Sequence, residues 1–386
     1  MEDLVQQQQR NRILFYFLLF MPLSGINIVA YALLLAYFIL YQFSNSKMHS
    51  IKGVTIAFLV ITFFILKYLQ VGDFDKCRII IQYYFGVVLF LYYLQYSETI
   101  ILNIDNLIFI LCAEIILEAV LVNTIIPPSK LFNYPEVYIQ YSGYQRPLSI
   151  GCNTTVTATI LCMLLAHREN LRKLGLLDAN TRLDVVAGLT ILVMASGMGI
   201  GLWALFFAYR MKGPLSYKNV LLVLSFILLL TLFILIVPSI QTTIFQHLFG
   251  NDGDSVALTE FKEEEAERYL SLLDGFSLGL GFDFKSMSLL TQGDIAYLEM
   301  FLSIGIIGIL LFVFIILLFI NKYNWFPIVL GLIGIYHYGG IFSMPGQLVF
   351  GYLLLFNSDR FQMLMDFMGD KNDVVSCTEV NDSSGI

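Results

Sequence analysis

The sequence predicts an all-α fold, a polytopic transmembrane helical bundle of about 12 crossings, with a long polar outer loop that carries an amphipathic helix. Two observations predict it. Hydrophobic residues make up 58% of the 386 positions and charged residues only 13%, and the mean hydropathy is +0.77; that is too little polar surface to coat a water-soluble globule of this size. Apolar runs of the length that a bilayer core demands, roughly 20 residues per helical crossing, recur between Ile13 and Leu355.

The runs fall at 13–22, 25–43, 51–66, 79–96, 104–126, 150–166, 184–209, 219–238, 297–320, 325–342 and 345–357. The stretch from Ile13 to Phe43 is too long for one ordinary crossing, and Pro22, Ser24, Gly25 and Asn27 mark a tight turn between two helices. By length, Asp184 to Tyr209 is one helix. One helix, however, would set the large acidic loop on the same side as Arg168, Arg172, Lys173 and Arg182, whereas a break at Ser196, Gly197 and Gly199 restores parity. Each half is then about 18 Å long at 1.5 Å per residue, a broken hairpin of the kind tolerated where it lines a polar cavity.

With that break both termini are expected on the cytoplasmic side, together with 14 of the 22 Lys and Arg, in keeping with the positive-inside bias. The segment from Lys67 to Arg78, which includes Lys76, falls outside against that bias. Arg10 and Arg12 precede the first apolar run without a small-residue cleavage site, so the first helix is expected to be retained.

This threading divides the chain into N-terminal transmembrane helices (1–126), an outer loop (127–149), central transmembrane helices with the broken hairpin near 196–199 (150–238), a large outer loop (239–296), C-terminal transmembrane helices (297–357) and a polar cytoplasmic tail (358–386). Within the large loop, Glu260 to Leu273 has helical spacing of Phe261, Tyr269, Leu272 and Leu273, which predicts an amphipathic helix on or near the membrane. Gly275, Gly279 and Gly281 are expected to end it.

Formal net charge is -7, and the segment from Ser239 to Ala296 holds ten Asp or Glu against Lys262, Arg268 and Lys285. That balance argues against a nucleic-acid partner. Five scattered cysteines, with no CxxC pair and no histidine cluster, give neither a disulfide framework nor a metal site.

Few residues are placed to carry chemistry. Arg146 precedes a span, where a guanidinium would meet the outer headgroup layer; its fork suits the phosphate oxygens of a lipid diphosphate, and it equally suits an interfacial anchor. Arg268 lies among Glu263, Glu264, Glu265 and Glu267, as a phosphate ligand or as the i,i+4 partner of Glu264. Asp294, at the outer mouth of the next span, is a candidate base for a sugar hydroxyl or a solvated acid at a helix start. His247 and His337 are lone histidines, a pattern more often structural than catalytic.

In their order and spacing these pieces resemble the O-antigen polymerase (Wzy-type) and O-antigen ligase superfamily of bacterial envelope glycosyltransferases. The likeness runs from about Pro127 onward: Arg146, Gly151 and Asn153 entering a span, the Ser196–Gly197 break, an Arg-bearing loop helix, the LGLGF of Leu278–Phe282, then Asp294, Tyr297 and the GIIG of Gly305–Gly308. The resemblance implies a metal-independent inverting transferase without cofactors. It would act on the periplasmic face of the inner membrane, on undecaprenyl-diphosphate-linked oligosaccharides. Arg146 and Arg268 would hold the diphosphate and stabilise its charge as it leaves, with Asp294 as base. Membrane lipids, a chain-length regulator and a flippase are the implied partners. Ligases usually carry a histidine in the final outer segment, where this chain reads LLTQGDIAY, which favours polymerase over ligase. From another class, a transporter or lipid-linked oligosaccharide flippase would also be polytopic with broken helices; Glu114 and Glu118, one turn apart in an apolar span, are the residues that favour it, and a paired structural role suits them equally.

Overall fold

A computed structural model describes residues 12–21, 51–96, 102–124, 140–141, 144–211, 275–282, 296–336 and 339–356. Outside them lie the turn expected over Pro22 to Asn27, the loop helix from Glu260 to Leu273, the tail 358–386, and Arg268, Asp294, His247 and His337. The described chain is almost wholly helical: α1 (residues 12–20), α2 (Ile51–Val71), α3 (Phe74–Tyr96), α4 (Ile104–Thr124), α5 (Thr154–Lys173), α6 (Thr181–Val193), α7 (Gly197–Arg210), α8 (Gly275–Leu280), α9 (Ala296–Phe319), α10 (Trp325–Gly334) and α11 (Met344–Leu355). One antiparallel pair, Gln140–Tyr141 with Tyr144–Gln145, and short 3₁₀ turns at Ser149–Gly151 and Gly340–Phe342 complete it.

Among the described residues two stretches are long and apolar enough to cross a membrane, Ile104–Thr124 and Glu299–Phe319. The outward face of α2 is an apolar stripe of Phe58, Ile61, Ile65 and Leu69, each more than half exposed. Such a stripe at i, i+3, i+4 spacing suits an apolar solvent rather than water.

Side-chain contacts sort the helix ends into two layers. At one end Arg168, on the last turns of α5, is buried and donates to Asp105 at the start of α4 (2.7 Å), to Asp184 at the start of α6 (3.2 Å) and to the Asp178 carbonyl (3.2 Å). Arg210, closing α7, donates to Asp184 at 2.7 Å, and Arg172 holds Glu169 through two nitrogens at 2.8 and 2.6 Å. Three arginines thus face three carboxylates, a neutral network in which each buried charge has a partner. The same layer receives the end of α9 and the ends of α10 and α11 that adjoin it: Asn324 donates to Phe319, Leu353 and Leu354 carbonyls, each at 3.1 Å, and Asn170 donates to the Tyr323 carbonyl at 2.6 Å. The far ends of α4, α5, α9 and α10, with the start of α11, form the opposite layer.

Two stretches differ from their expected limits. α2 continues past 66 to Val71 and carries Lys67 into the protein, where its side chain is 0% exposed. A further short helix, α8, opens at Gly275, and Gly281, at φ 78, ends it through its N–H on the Ser277 carbonyl (2.8 Å), while the end of the helix expected over Glu260 to Leu273 lies outside the described residues. The run 325–342 is broken: α10 stops at Gly334, and α11 begins after the 3₁₀ turn, capped by Ser343 accepting from the Gly346 N–H at 3.2 Å. Pro345 suits that first turn because its missing N–H has no helical acceptor there.

Candidate functional site

Arg146 belongs to a short extended segment wedged between α4, α5 and the bend joining α6 to α7. Pro147 keeps Arg146 out of the helical region, and the Tyr144–Gln145 strand pins it from the N-terminal side. Asn123 of α4 holds that strand through Gln145, donating to its carbonyl and accepting its N–H, each at 2.9 Å. The Tyr144 hydroxyl donates to the Val193 carbonyl at 2.6 Å. Burial pushes this phenol up to about 12, so it remains a donor at neutral pH.

Beyond Pro147 the backbone turns sharply, and α4 supplies the acceptors. Glu118 is buried and accepts the N–H groups of Leu148 (3.0 Å) and Ser149 (2.8 Å), while Glu114, one turn earlier, holds the Ser149 hydroxyl. Thr157 fastens the turn to α5 by donating to the Leu148 carbonyl at 2.7 Å and accepting the Gly151 N–H at 3.0 Å. Asn153 then caps α5, accepting from Thr155 at 2.8 Å and Val156 at 3.4 Å.

The second wall is the bend at 194–196, where the helix stops after Val193, Ala195 takes φ 47 and Ser196 caps α7 by accepting the Gly199 N–H at 3.2 Å. Arg210 at the end of α7 meets Asp184 at the start of α6, so the two helices run back along one another as a hairpin with its apex at Ala195. At that apex Arg146 Nη1 donates to the Ala195 carbonyl at 3.4 Å, and the hydroxyls of Thr155 and Ser196 lie 3.0 Å apart.

Two features set this place apart. Ser149, Cys152 and Ala195, the non-glycine residues of positive φ among those described, all fall here; each such conformation costs about 1 kcal/mol or more and persists only where the surroundings impose it. The N-termini of α5 and α7 also converge, joined through Thr155 and Ser196. Their positive dipole ends and the half-buried Arg146 guanidinium lie together, with the Glu118 carboxylate bound to the backbone on the α4 side. Ser196, distant in sequence, is thus brought to the segment that holds Arg146 and Asn153.

Sequence reasoning missed the part played by Glu118, which organises the Arg146 segment through its backbone. Glu118 lies in the last two turns of α4, the helix that precedes the Arg146 segment in the chain, a placement that could have suggested the link. A second group of glycine motifs also comes together. Phe282 N–H donates to the Leu302 carbonyl at 2.6 Å, and a side chain at Gly281 would meet Ser303 backbone within 2.5 Å. Gly305, at φ 63, kinks α9 and lies against the Gly279 and Gly281 backbone. No protein-family model, no curated protein and no solved structure matches this chain.

Proposed function

We propose that this protein is a multi-pass enzyme of the bacterial inner membrane that polymerises undecaprenyl-diphosphate-linked repeat units into O-antigen or a related surface polysaccharide. The observation that carries this reading is the Arg146 locus, a guanidinium set where two helix N-termini meet at the apex of a broken hairpin. A leaving diphosphate needs that kind of preorganised positive field, because its charge grows as the bond to the anomeric carbon breaks. An acceptor hydroxyl of the incoming lipid-linked unit attacks that carbon from the opposite face and loses its proton to a base. Arg146 stabilises the departing diphosphate. The family resemblance adds Arg268 as a second diphosphate ligand and Asp294 as the base.

The sorting of helix ends supports the same orientation. Arg168, Arg172, Lys173, Arg210 and Lys322 belong to the layer read as cytoplasmic, and Arg146 to the opposite one read as periplasmic. A transporter would keep intramembrane carboxylates open to its cargo or coupling ion, whereas Glu118 is engaged by two backbone N–H groups and Glu114 by Ser149.

The test is the lipopolysaccharide ladder of cells lacking the gene, complemented with wild type, Arg146→Ala, Arg268→Ala or Asp294→Ala at matched expression. Collapse to core plus one repeat unit, rescued by wild type and not by the arginine variants, is the expected result. Loss of every repeat unit would point instead to a ligase or flippase, and an unchanged ladder would refute the reading.

A further inference from the structure

Tyr297, in the first turn of α9, and Tyr336, two residues past the end of α10, stack on one another with ring centroids 5.8 Å apart and planes 23° from parallel. Both residues are more than half exposed. A tyrosine at the end of a membrane helix commonly anchors it among the headgroups, and that role asks only for a single ring in the interface. Here the ends of two helices present two rings as one surface.

Polar groups stand beside the pair. Glu299, two residues after Tyr297, is half-buried and close enough to the Tyr83 and Tyr84 phenols of α3 to act on them through its charge. Tyr84 donates to Ser303, one turn further along α9, at 3.1 Å. The Tyr83 hydroxyl reaches the backbone three residues after Tyr336, where a Cβ on Gly339 would stand 3.2 Å from it. Its ring packs against Tyr84 (4.9 Å) and Phe342 (5.5 Å) and stays partly exposed.

The tyrosine pair lies in the same layer of helix ends as Arg146, and α11 joins the two places. It packs against the turn at Ser149–Gly151 on one side, and on the other its Gln347 donates to the Gln82 and Tyr83 carbonyls at 3.1 and 2.6 Å. Gly340, just before α11, lies against Thr159 of α5, the helix that follows the Arg146 segment.

The ligand that such groups fit is a sugar ring. An aromatic face is the negative side of the ring quadrupole and attracts the C–H groups that line one face of a pyranose, while a phenol and a carboxylate meet its hydroxyls. Glu299 would repel a phosphate, and an acyl chain would leave that carboxylate unused. We propose that Tyr297 and Tyr336, with Tyr83 and Glu299 beside them, form a saccharide subsite that stacks on one sugar ring of the lipid-linked chain. The proposal rests on the polymerase reading for the molecule that brings the sugar, and on the ring geometry for the subsite itself.

The experiment measures binding to the full chain in lipid nanodiscs by saturation-transfer NMR. The probe is the oligosaccharide mixture from partial acid hydrolysis of the host cell's surface polysaccharide, which carries no diphosphate and so reports the sugar contact alone. Wild type should bind it. Tyr297→Leu and Tyr336→Leu should each weaken Kd about tenfold, whereas Tyr297→Phe, which keeps the ring, should stay within about twofold of wild type. Glu299→Gln, which keeps the shape and removes the charge, should weaken it about fivefold. No binding by wild type overturns the subsite. So do leucine variants that bind as wild type does, the result expected of rings that only anchor helix ends among headgroups; should one of the two not fold, the other decides. The lipopolysaccharide ladder separates this outcome from the polymerase reading. An unchanged ladder in cells lacking the gene, with binding that depends on the tyrosines, refutes the polymerase and keeps the subsite. A lost ladder, with binding indifferent to both tyrosines, refutes the subsite alone.

Discussion

Arg210 donates to Asp184 across 2.7 Å, joining the last residue of α7 to the first turn of α6. The bond shuts the open end of the hairpin whose apex faces Arg146, and Asp184 passes the restraint on to Arg168, which also holds Asp105 of α4. Removing Arg168 would leave the Asp105 carboxylate without its arginine, while Asp184 keeps Arg210. Arg168→Met should therefore cost about 3–5 kcal/mol, seen as a lowered thermal midpoint in nanodiscs. Adding Asp105→Asn should restore part of the loss, because one uncompensated charge is removed with its partner. A midpoint equal to wild type in the single variant would refute the network's structural role.

The described helices were legible in the sequence as long apolar runs, and Ser or Gly interrupts them where the backbone bends. The bend after Val193 carries that signature in Ser196 and Gly197. Arg168 reads from sequence as one more cytoplasmic cation; that it is buried among carboxylates depends on Asp105, 63 residues away, which no local pattern reveals. Lys67 was hidden for a related reason. Its run looks finished at 66, and only the carbonyls of Leu280 and Phe282, more than 200 positions later, make its burial tolerable. At the site, Arg146 was visible as a charge before a span, whereas the Glu118 contacts to the backbone of Leu148 and Ser149 were not, since a carboxylate that binds backbone leaves no residue-type signature in its partners.

Gly188 of α6 lies directly against the Trp203 ring of α7, so any side chain at 188 would overlap the indole. Gly188→Val should push the hairpin apart at a cost of about 1–3 kcal/mol. In Trp203→Leu the same substitution should cost less, because the smaller residue yields the space. A double-mutant cycle on thermal midpoints measures this coupling, and strictly additive effects would show that the two residues do not pack together.

Glu118→Ala would leave the Leu148 and Ser149 N–H groups without their carboxylate acceptor, at about 1–3 kcal/mol for each buried donor. Glu118→Gln keeps one acceptor oxygen at the same place and should be the milder change. Under the polymerase reading both variants act through Arg146, so polymer length in complemented cells should fall in the order wild type, Gln, Ala. An Ala variant that is abundant, folded and fully active would disconnect Glu118 from the site.

Gly305 combines two demands that no other residue type meets together. Its φ of 63 kinks α9 and places it against the backbone of Gly279 and Gly281, so a methyl group there meets both conformational strain and backbone atoms that cannot move aside as a flexible side chain would. Gly305→Ala should cost about 1–3 kcal/mol from the positive-φ, extended-ψ conformation alone, with more from the overlap. Because the displaced neighbour is the turn held by Lys67, amide exchange over 275–282 should quicken in this variant, although Lys67 itself is intact. Gly308→Ala in the same helix is the control: Gly308 does not share the positive φ, and the side chain it would meet is that of Ile304 on its own helix. Exchange over 275–282 should then stay near wild type. Equal acceleration in both variants would mean that the turn responds to general loosening of α9 and not to the Gly281–Gly305 contact.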